Sequence, residues 1–410
     1  MKIAIIGTFL GQKTSGAEMS SFLLTCGLKK KLKVFAVTAK VKQKLPFKLY
    51  SLNLDFLHNN FLILGTKFTD YLMFKRMLPI IKKKKPDIIH IQDFLSLPAA
   101  VKVGKRLNIP TVMTVRDYRF NSNLAIDLEK NKIVRNYSKK QYYSWLYQTL
   151  KNNNLSWLTP FLFFWFYASN KRNLNYIRKV DGLITVSDFV KKELIKSGFS
   201  ENKIKTIKVP KPDWIPKKSI NKDYIRIFCG GFLVRPKGFH LLIKSMKKVV
   251  QNNSNVKLFI AGEGSCKQEL INMSEQLGLK ENIEFLGRVN PNKMKEEYIK
   301  SDFVVVPSIW PEPLSRMIFE SFSLAKPVIA TNVGGSAELV KNGVTGYLVS
   351  PYNLNEMSKF ILKLVNNPNK IKALGKNALK LINKDASATK CVNNHIDYYN
   401  YVIQNRNLIN

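Results

Sequence analysis

At 410 residues and 45% hydrophobic, the chain is long for one domain and has ample apolar side chains for buried cores, so two domains are expected. Its net charge is +39, two thirds of it from residues 1–208; this reads as a basic surface for an anionic partner (nucleic acid, acidic membrane or phosphate-bearing substrate) or as compositional bias, Lys outnumbering Arg 55 to 12. The four cysteines, Cys26, Cys229, Cys266 and Cys391, are scattered without C-x-x-C spacing, which argues against a disulfide framework or metal site and fits a reducing cytoplasm.

Ile3–Ile6 reads as a first parallel strand, too short for a signal peptide. The loop that follows holds Gly11 and Gly16, and a helix begins near Ala17. Glycine in such a turn lets backbone approach a phosphate, although the spacing is not the dinucleotide G-x-G-x-x-G, and a plain flexible loop is the alternative. Lys33–Thr38 is a second strand, and residues 41–66 carry no clear pattern. Ile88–Ile91, Pro98–Arg106 and Thr111–Val115 read as strand, helix, strand, leading to Arg116-Asp117. His90, at a strand end, is expected to be structural. The aromatic run Leu155–Arg172 has an apolar core of about 14 residues, short of the roughly 20 that a membrane span needs, and Pro160 is expected to break it. It is either a helix buried under its domain or in an oligomer interface, or a segment lying in a membrane surface. In the second case Trp157, Trp165 and Tyr167 sit among headgroups, with Lys171 and Arg172 on anionic lipid. Val180–Val186 is a strand, and Ser187 caps the next helix.

Lys208–Asp223, with three prolines, reads as a hinge, dividing the chain into domains 1–208 and 209–384 with a helical tail 385–410. Beyond it lie a strand, a loop containing Gly231, Arg235 and Lys237, and a helix. Val256–Ile260 leads to the turn Gly262-Glu263-Gly264. Ile283–Leu286 leads to Gly287-Arg288-Val289, and Lys293–Lys300 reads as a surface helix. Then come strand Phe303–Val306, the Pro-rich loop Pro307–Pro313, a helix over about Leu314–Leu324, strand Pro327–Ala330 and the pair Gly334-Gly335. Backbone N–H groups at that helix start favour an anion, above all phosphate, and Pro311 and Pro313 stiffen the approach. Glu312 precedes the helix, and Glu320 lies on the same face roughly 10 Å further along. Two carboxylates so placed can hold hydroxyls on either side of a bound diphosphate, the layout of a nucleotide sugar; two glutamates eight apart also arise by chance.

Pro307-Ser308, Glu312-Pro313 and Glu320, then Ala325–Thr331, then the glycine pattern Gly334–Val349, resemble the donor-binding half of glycosyltransferase family 4 over about 45 residues. Asp87–Asp117 is similar to another family segment, with Arg116 where a histidine is usual. In the pattern G-R-x-x-x-E-K-G, Gly231, Lys237 and Gly238 match, while Phe232 and Pro236 replace the arginine and glutamate. The resemblance implies an α/β GT-B fold: two Rossmann-like parallel-sheet domains facing across a cleft, the tail helix returning to the first. It implies that Glu312 contacts the transferred sugar and Glu320 the ribose, with backbone around Pro313, Leu314 and Ser315 on sugar and diphosphate. Arg235, in place of the missing arginine, and Lys237 would neutralise the diphosphate. Gly16 and Gly231 would face it, Arg116 would lie near the sugar, and Glu263, Arg288 and Val289 would line the base pocket. The implied reaction is a retaining transfer of a hexose-type sugar from a UDP- or GDP-sugar to a lipid-linked or membrane-proximal glycan. It would serve surface polysaccharide or glycoconjugate synthesis at the cytoplasmic membrane face, without metal, cofactor or nucleic acid. A member that has lost activity, or a non-catalytic basic protein binding anions or nucleic acid on the same scaffold, is the competing reading.

Overall fold

A computed structural model describes the chain apart from residues 9, 11–15, 40–44, 55–66, 121–125, 128–131, 134–137, 152–154, 218–222 and 407–410. Gly11 and the Trp165 side chain therefore lie outside the described residues. Met1–Asp127, Ile133–Pro210 and Ala388–Asn410 form a first compact unit, and Lys211–Ser387 makes up the body of a second.

The strands of the first unit are β1 (Lys2–Ile6), β2 (Lys33–Thr38), β3 (Lys48–Ser51), β4 (Ile88–Ile91), β5 (Thr111–Val115), β8 (Gly182–Thr185) and β9 (Ile204–Thr206). The short β6 (Ile126–Asp127) and β7 (Lys132–Ile133) pair only with each other. The sheet runs β3-β2-β1-β4-β5-β8-β9 with parallel neighbours. Helices cover such a sheet on both faces, which is why its central strands β1, β4, β5 and β8 are buried almost throughout. The tail helix, Ala388–Gln404, belongs to this unit. The Tyr398 hydroxyl takes the Leu183 N–H at 3.1 Å, and the Tyr399 hydroxyl meets His90 Nδ1 at 2.7 Å. His90 also meets Thr114 Oγ1 at 2.6 Å and is fully buried, so it is structural; burial pushes its pKa well down.

Two expectations for the aromatic run are corrected. Pro160 does not break a helix: it occupies the first turn of Thr159–Ile177, where no N–H is needed. Arg172 does not face outward. It turns in to Asp70 on helix Lys67–Lys84, at 2.7 Å. No described helix is long and apolar enough to cross a membrane.

In the second unit β10 (Ile225–Gly230), β11 (Val256–Ala261), β12 (Ile283–Gly287), β13 (Phe303–Val306), β14 (Val328–Thr331) and β15 (Gly346–Val349) form one sheet, ordered β12-β11-β10-β13-β14-β15. All neighbours are parallel. Its core joins Ile227, Leu258, Phe303 and Ile329 of the sheet to Leu242, Met246 and Ile361 of the covering helices. The helix expected at the surface, Pro291–Lys300, has an inner face: Tyr298 is fully buried, and Glu297 forms a buried ion pair with Arg226.

Candidate active site

β10 is flanked by β11 on one side and β13 on the other, so the loops leaving its carboxyl end and that of β13 meet where the winding of the sheet reverses. Ligands of open α/β sheets collect at this point. Here the two loops grip each other. The Ile309 N–H donates to the Pro236 carbonyl at 2.9 Å. Gly238, at φ +72°, lies so close to the Pro307 carbonyl that a Cβ would stand 1.9 Å from its oxygen.

Lys237 and Glu312 meet in this junction, Nζ to Oε1 at 2.7 Å. The Ser308 hydroxyl donates to the same oxygen at 2.6 Å, and the Lys237 ammonium lies 5.3 Å from the centroid of the Trp310 ring. Burial pushes the Glu312 acid up, but Lys237, Ser308 and the Trp310 indole outweigh it and hold the acid below the ordinary glutamate value. Glu312 is thus a buried, ionised carboxylate tied to a half-buried cation. Because the Ser308 bond favours the charged form, Ser308→Ala is expected to move the acidic limb of the rate profile to higher pH. A pH series of turnover checks this, and an unmoved limb contradicts it.

The loop is backed from behind. The Gly335 N–H donates to the Glu312 carbonyl at 2.8 Å, and Gly334 packs against Pro311 and Glu312 backbone. Pro313 and Ser315 are buried and Leu314 is half-buried. The following helix, Arg316–Ser323, buries Ile318, Phe319 and Phe322; no side chain caps its start, and no acidic residue lies in its first turn. Without a side-chain cap or an acidic neighbour, its first N–H groups and its dipole suit an anion. Glu320, half-buried, accepts the Tyr298 hydroxyl at 2.9 Å and Arg316 Nε at 3.3 Å.

The remaining strand ends of this unit carry the other expected residues. Gly231, at φ +140°, is met by the turn after β11: a Cβ on Gly262 would stand 1.9 Å from the Gly231 carbonyl oxygen. Glu263 is exposed, pairs with Lys267 at 2.7 Å, and lies beside Gly287. Arg288 is exposed and Val289 half-buried. Arg235 stands apart. Its exposed guanidinium is held by Glu269 on helix Lys267–Gln276 at 2.7 Å. In the first unit Gly16 opens helix Gly16–Lys29, and Arg116 donates to Gln92 through its carbonyl (3.2 Å) and its side-chain oxygen (2.8 Å). Ser21 donates to that same side-chain oxygen at 2.9 Å.

Sequence reasoning gave no role to Ser308, Trp310 and Tyr298, which with Lys237 and Arg316 hold the two glutamates. The first two lie in plain view in the Pro-rich loop. Tyr298 gives no signal beyond helical spacing in a polar segment.

The family model described as Glycosyl transferases group 1 matches residues 210–381, and that of Glycosyltransferase Family 4 matches residues 14–208. An uncharacterized glycosyltransferase of Methanocaldococcus jannaschii is 33% identical over 215 residues, 52% of this chain and 57% of that protein. The poly(ribitol-phosphate) alpha-N-acetylglucosaminyltransferase of Staphylococcus aureus is 26% identical over 204 residues, 49% of this chain and 40% of that protein. The chain spans about a third to three fifths of the length of the curated relatives it matches. Among solved structures, Anabaena Alr3699/HepE in complex with UDP-glucose superposes with a TM-score of 0.71 at 17% identity, over 98% of this chain and 100% of that one. TarM superposes with a TM-score of 0.73 at 15% identity, over 97% and 98%. These likenesses show the GT-B fold. Two family models that meet end to end, on a fold of this kind, place the chain in glycosyltransferase family 4.

Proposed function

We propose that the chain is a retaining glycosyltransferase that moves a hexose-type sugar from a UDP- or GDP-sugar to a lipid-linked or membrane-proximal glycan, in surface polysaccharide or glycoconjugate synthesis. The observation that carries the reading is the Lys237–Glu312 pair at the reversal point of the second sheet, with an uncapped helix start beside it. In this reading the diphosphate lies on the N–H groups following Leu314 and Ser315, and Lys237 meets it as charge develops. Glu312 holds the transferred sugar, Glu320 the ribose. The bond from the anomeric carbon to the diphosphate breaks while the bond to the acceptor oxygen forms on the same face, and the acceptor's proton passes to the leaving diphosphate. Glu263, Arg288 and Val289 line the base side, and Gly231 faces the diphosphate. The arginine that the family pattern places near the diphosphate is not supplied by Arg235 in its present pairing, so Lys237 carries that charge. No step draws on a metal ion, so full activity is expected with chelator present. UDP and UDP-glucose bound to a neighbour of the same fold support the donor class.

A thermal-shift and nucleotide-release panel of UDP- and GDP-sugars, run with chelator, tests this. One base family should stabilise the protein. Glu320→Gln should weaken that donor about 10–100-fold, the worth of a hydrogen bond to a charged group. No stabilisation by any of them would sink the reading.

A further inference from the structure

We propose that the hairpin of helices Lys139–Lys151 and Thr159–Ile177 is a docking surface for an anionic lipid bilayer. The proposal deepens the reading above, whose acceptor is membrane-proximal, but needs no donor for its test. The two helices pack on each other through a small cluster of their own, Tyr142, Leu146, Leu150 and Phe163. That uses the inner face. The outer face presents Trp157, Phe161 and Phe164, which are 67%, 76% and 70% exposed. Phe161 and Phe164, three apart on one helix, lie on the same side of it, and Trp157 precedes them in the 3-10 turn Ser156–Leu158. Tyr143 and Tyr147 on the other helix are also exposed. On the surface of a globular domain, large aromatics this open and this close mark a contact site.

The charge around them selects the partner. Residues 130–180 contain ten Lys and Arg and no Asp or Glu. Lys139, Lys140, Lys151 and Lys171 are exposed. Arg172 is not one of this set, because it is turned in to the buried Asp70 carboxylate, bracing the hairpin on helix Lys67–Lys84. A second copy of the chain on this face would set like charge against like. A nucleic acid would satisfy the lysines through phosphate but leave the two phenylalanines without a dry environment. A bilayer interface takes both: aromatics at the boundary of headgroups and acyl chains, and cations on anionic headgroups.

The test is flotation of the full chain with phosphatidylcholine vesicles, with and without a third of phosphatidylglycerol, at low and high salt. The unaltered chain should bind the anionic vesicles at least about tenfold better than the neutral ones, and salt should weaken it. The double variant Phe161→Ser, Phe164→Ser should lose about tenfold or more. Trp157→Ser should lose a part, and Lys139→Gln with Lys140→Gln should reduce the salt-sensitive share. All of these side chains point outward, and the unfolding transition of each variant reports that its fold is kept. Unchanged binding by the double phenylalanine variant overturns the proposal. So does a dimer that dissolves in that variant, which would give the face to a second copy, or competition by RNA that the variant abolishes. Because vesicles are scored without a nucleotide sugar, failure here and failure of the donor site are separate results.

Discussion

Lys237→Ala is expected to lower turnover about 10²–10³-fold, the cost of removing one group that meets developing charge in a dry site. The loss should fall on kcat more than on donor affinity, since the ammonium is already engaged by Glu312 at 2.7 Å before any diphosphate forms. The variant also strands the Glu312 carboxylate, which is 6% exposed. Without its cation the acid must rise, because burial then acts with less opposition. The sign follows: a carboxylate held low stabilises the fold above its unfolded pKa and loses that contribution as pH falls, so Lys237→Ala should cost more stability at neutral pH than in acid. The Lys237 side chain is 27% exposed, so the stability loss is expected at about 1–2 kcal/mol, below the range for breaking a fully buried pair. Adding Glu312→Gln should restore stability and leave turnover low. A double-mutant cycle on stability and on turnover separates the two roles. If Lys237→Ala kept wild-type turnover, the charge assigned to it would have to come from elsewhere.

The parts of this molecule that can be read from sequence are those where local pattern and tertiary role agree. Lys33–Thr38, Ile88–Ile91, Thr111–Val115 and Phe303–Val306 read as strands and are strands with those bounds, because each is a short, mostly apolar run that the fold buries. The strands that escape notice include two at sheet edges. Lys48–Ser51 is an edge strand, exposed or half-buried along its length, and Gly346–Val349 forms the other sheet's edge. Helix Lys67–Lys84 is hidden by Pro79 inside it. At the site, Glu312 and Glu320 are singled out by their spacing and Lys237 by the family resemblance; Lys237 and Glu312 meet where two loops of one sheet end join, and Glu320 lies on the helix that follows. Their partners do not emerge that way. Tyr298 reaches Glu320 from a helix 22 positions earlier in the chain, and the Arg235 guanidinium reads as facing across its own loop because sequence does not reveal Glu269 beside it. Side-chain choice among competing carboxylates is decided by tertiary placement.

The same tertiary placement makes one glycine decisive. Gly334 has φ +59°, and a Cβ there would lie 2.3 Å from the Glu312 carbonyl oxygen and 2.7 Å from its nitrogen. Those are backbone atoms, so no rotamer change relieves the contact. The next residue, Gly335, donates to that same carbonyl at 2.8 Å. Gly334→Ala must therefore push the Pro311–Glu312 segment away, taking the Glu312 carboxylate off Lys237 and Ser308. A left-handed alanine costs about 1 kcal/mol, and the collision adds about 1–3 kcal/mol as overpacking does. Turnover should fall about 10²-fold, as a misplacement near 1 Å does. Gly343→Ala separates the two terms. It has φ +76°, and an added methyl group would meet nothing within 4 Å, so it carries the backbone strain without the collision. It should lose about 1 kcal/mol in chemical denaturation and keep its turnover. Equal loss of activity in both variants would mean that strain in the glycine-rich segment, and not displacement of Glu312, governs the site.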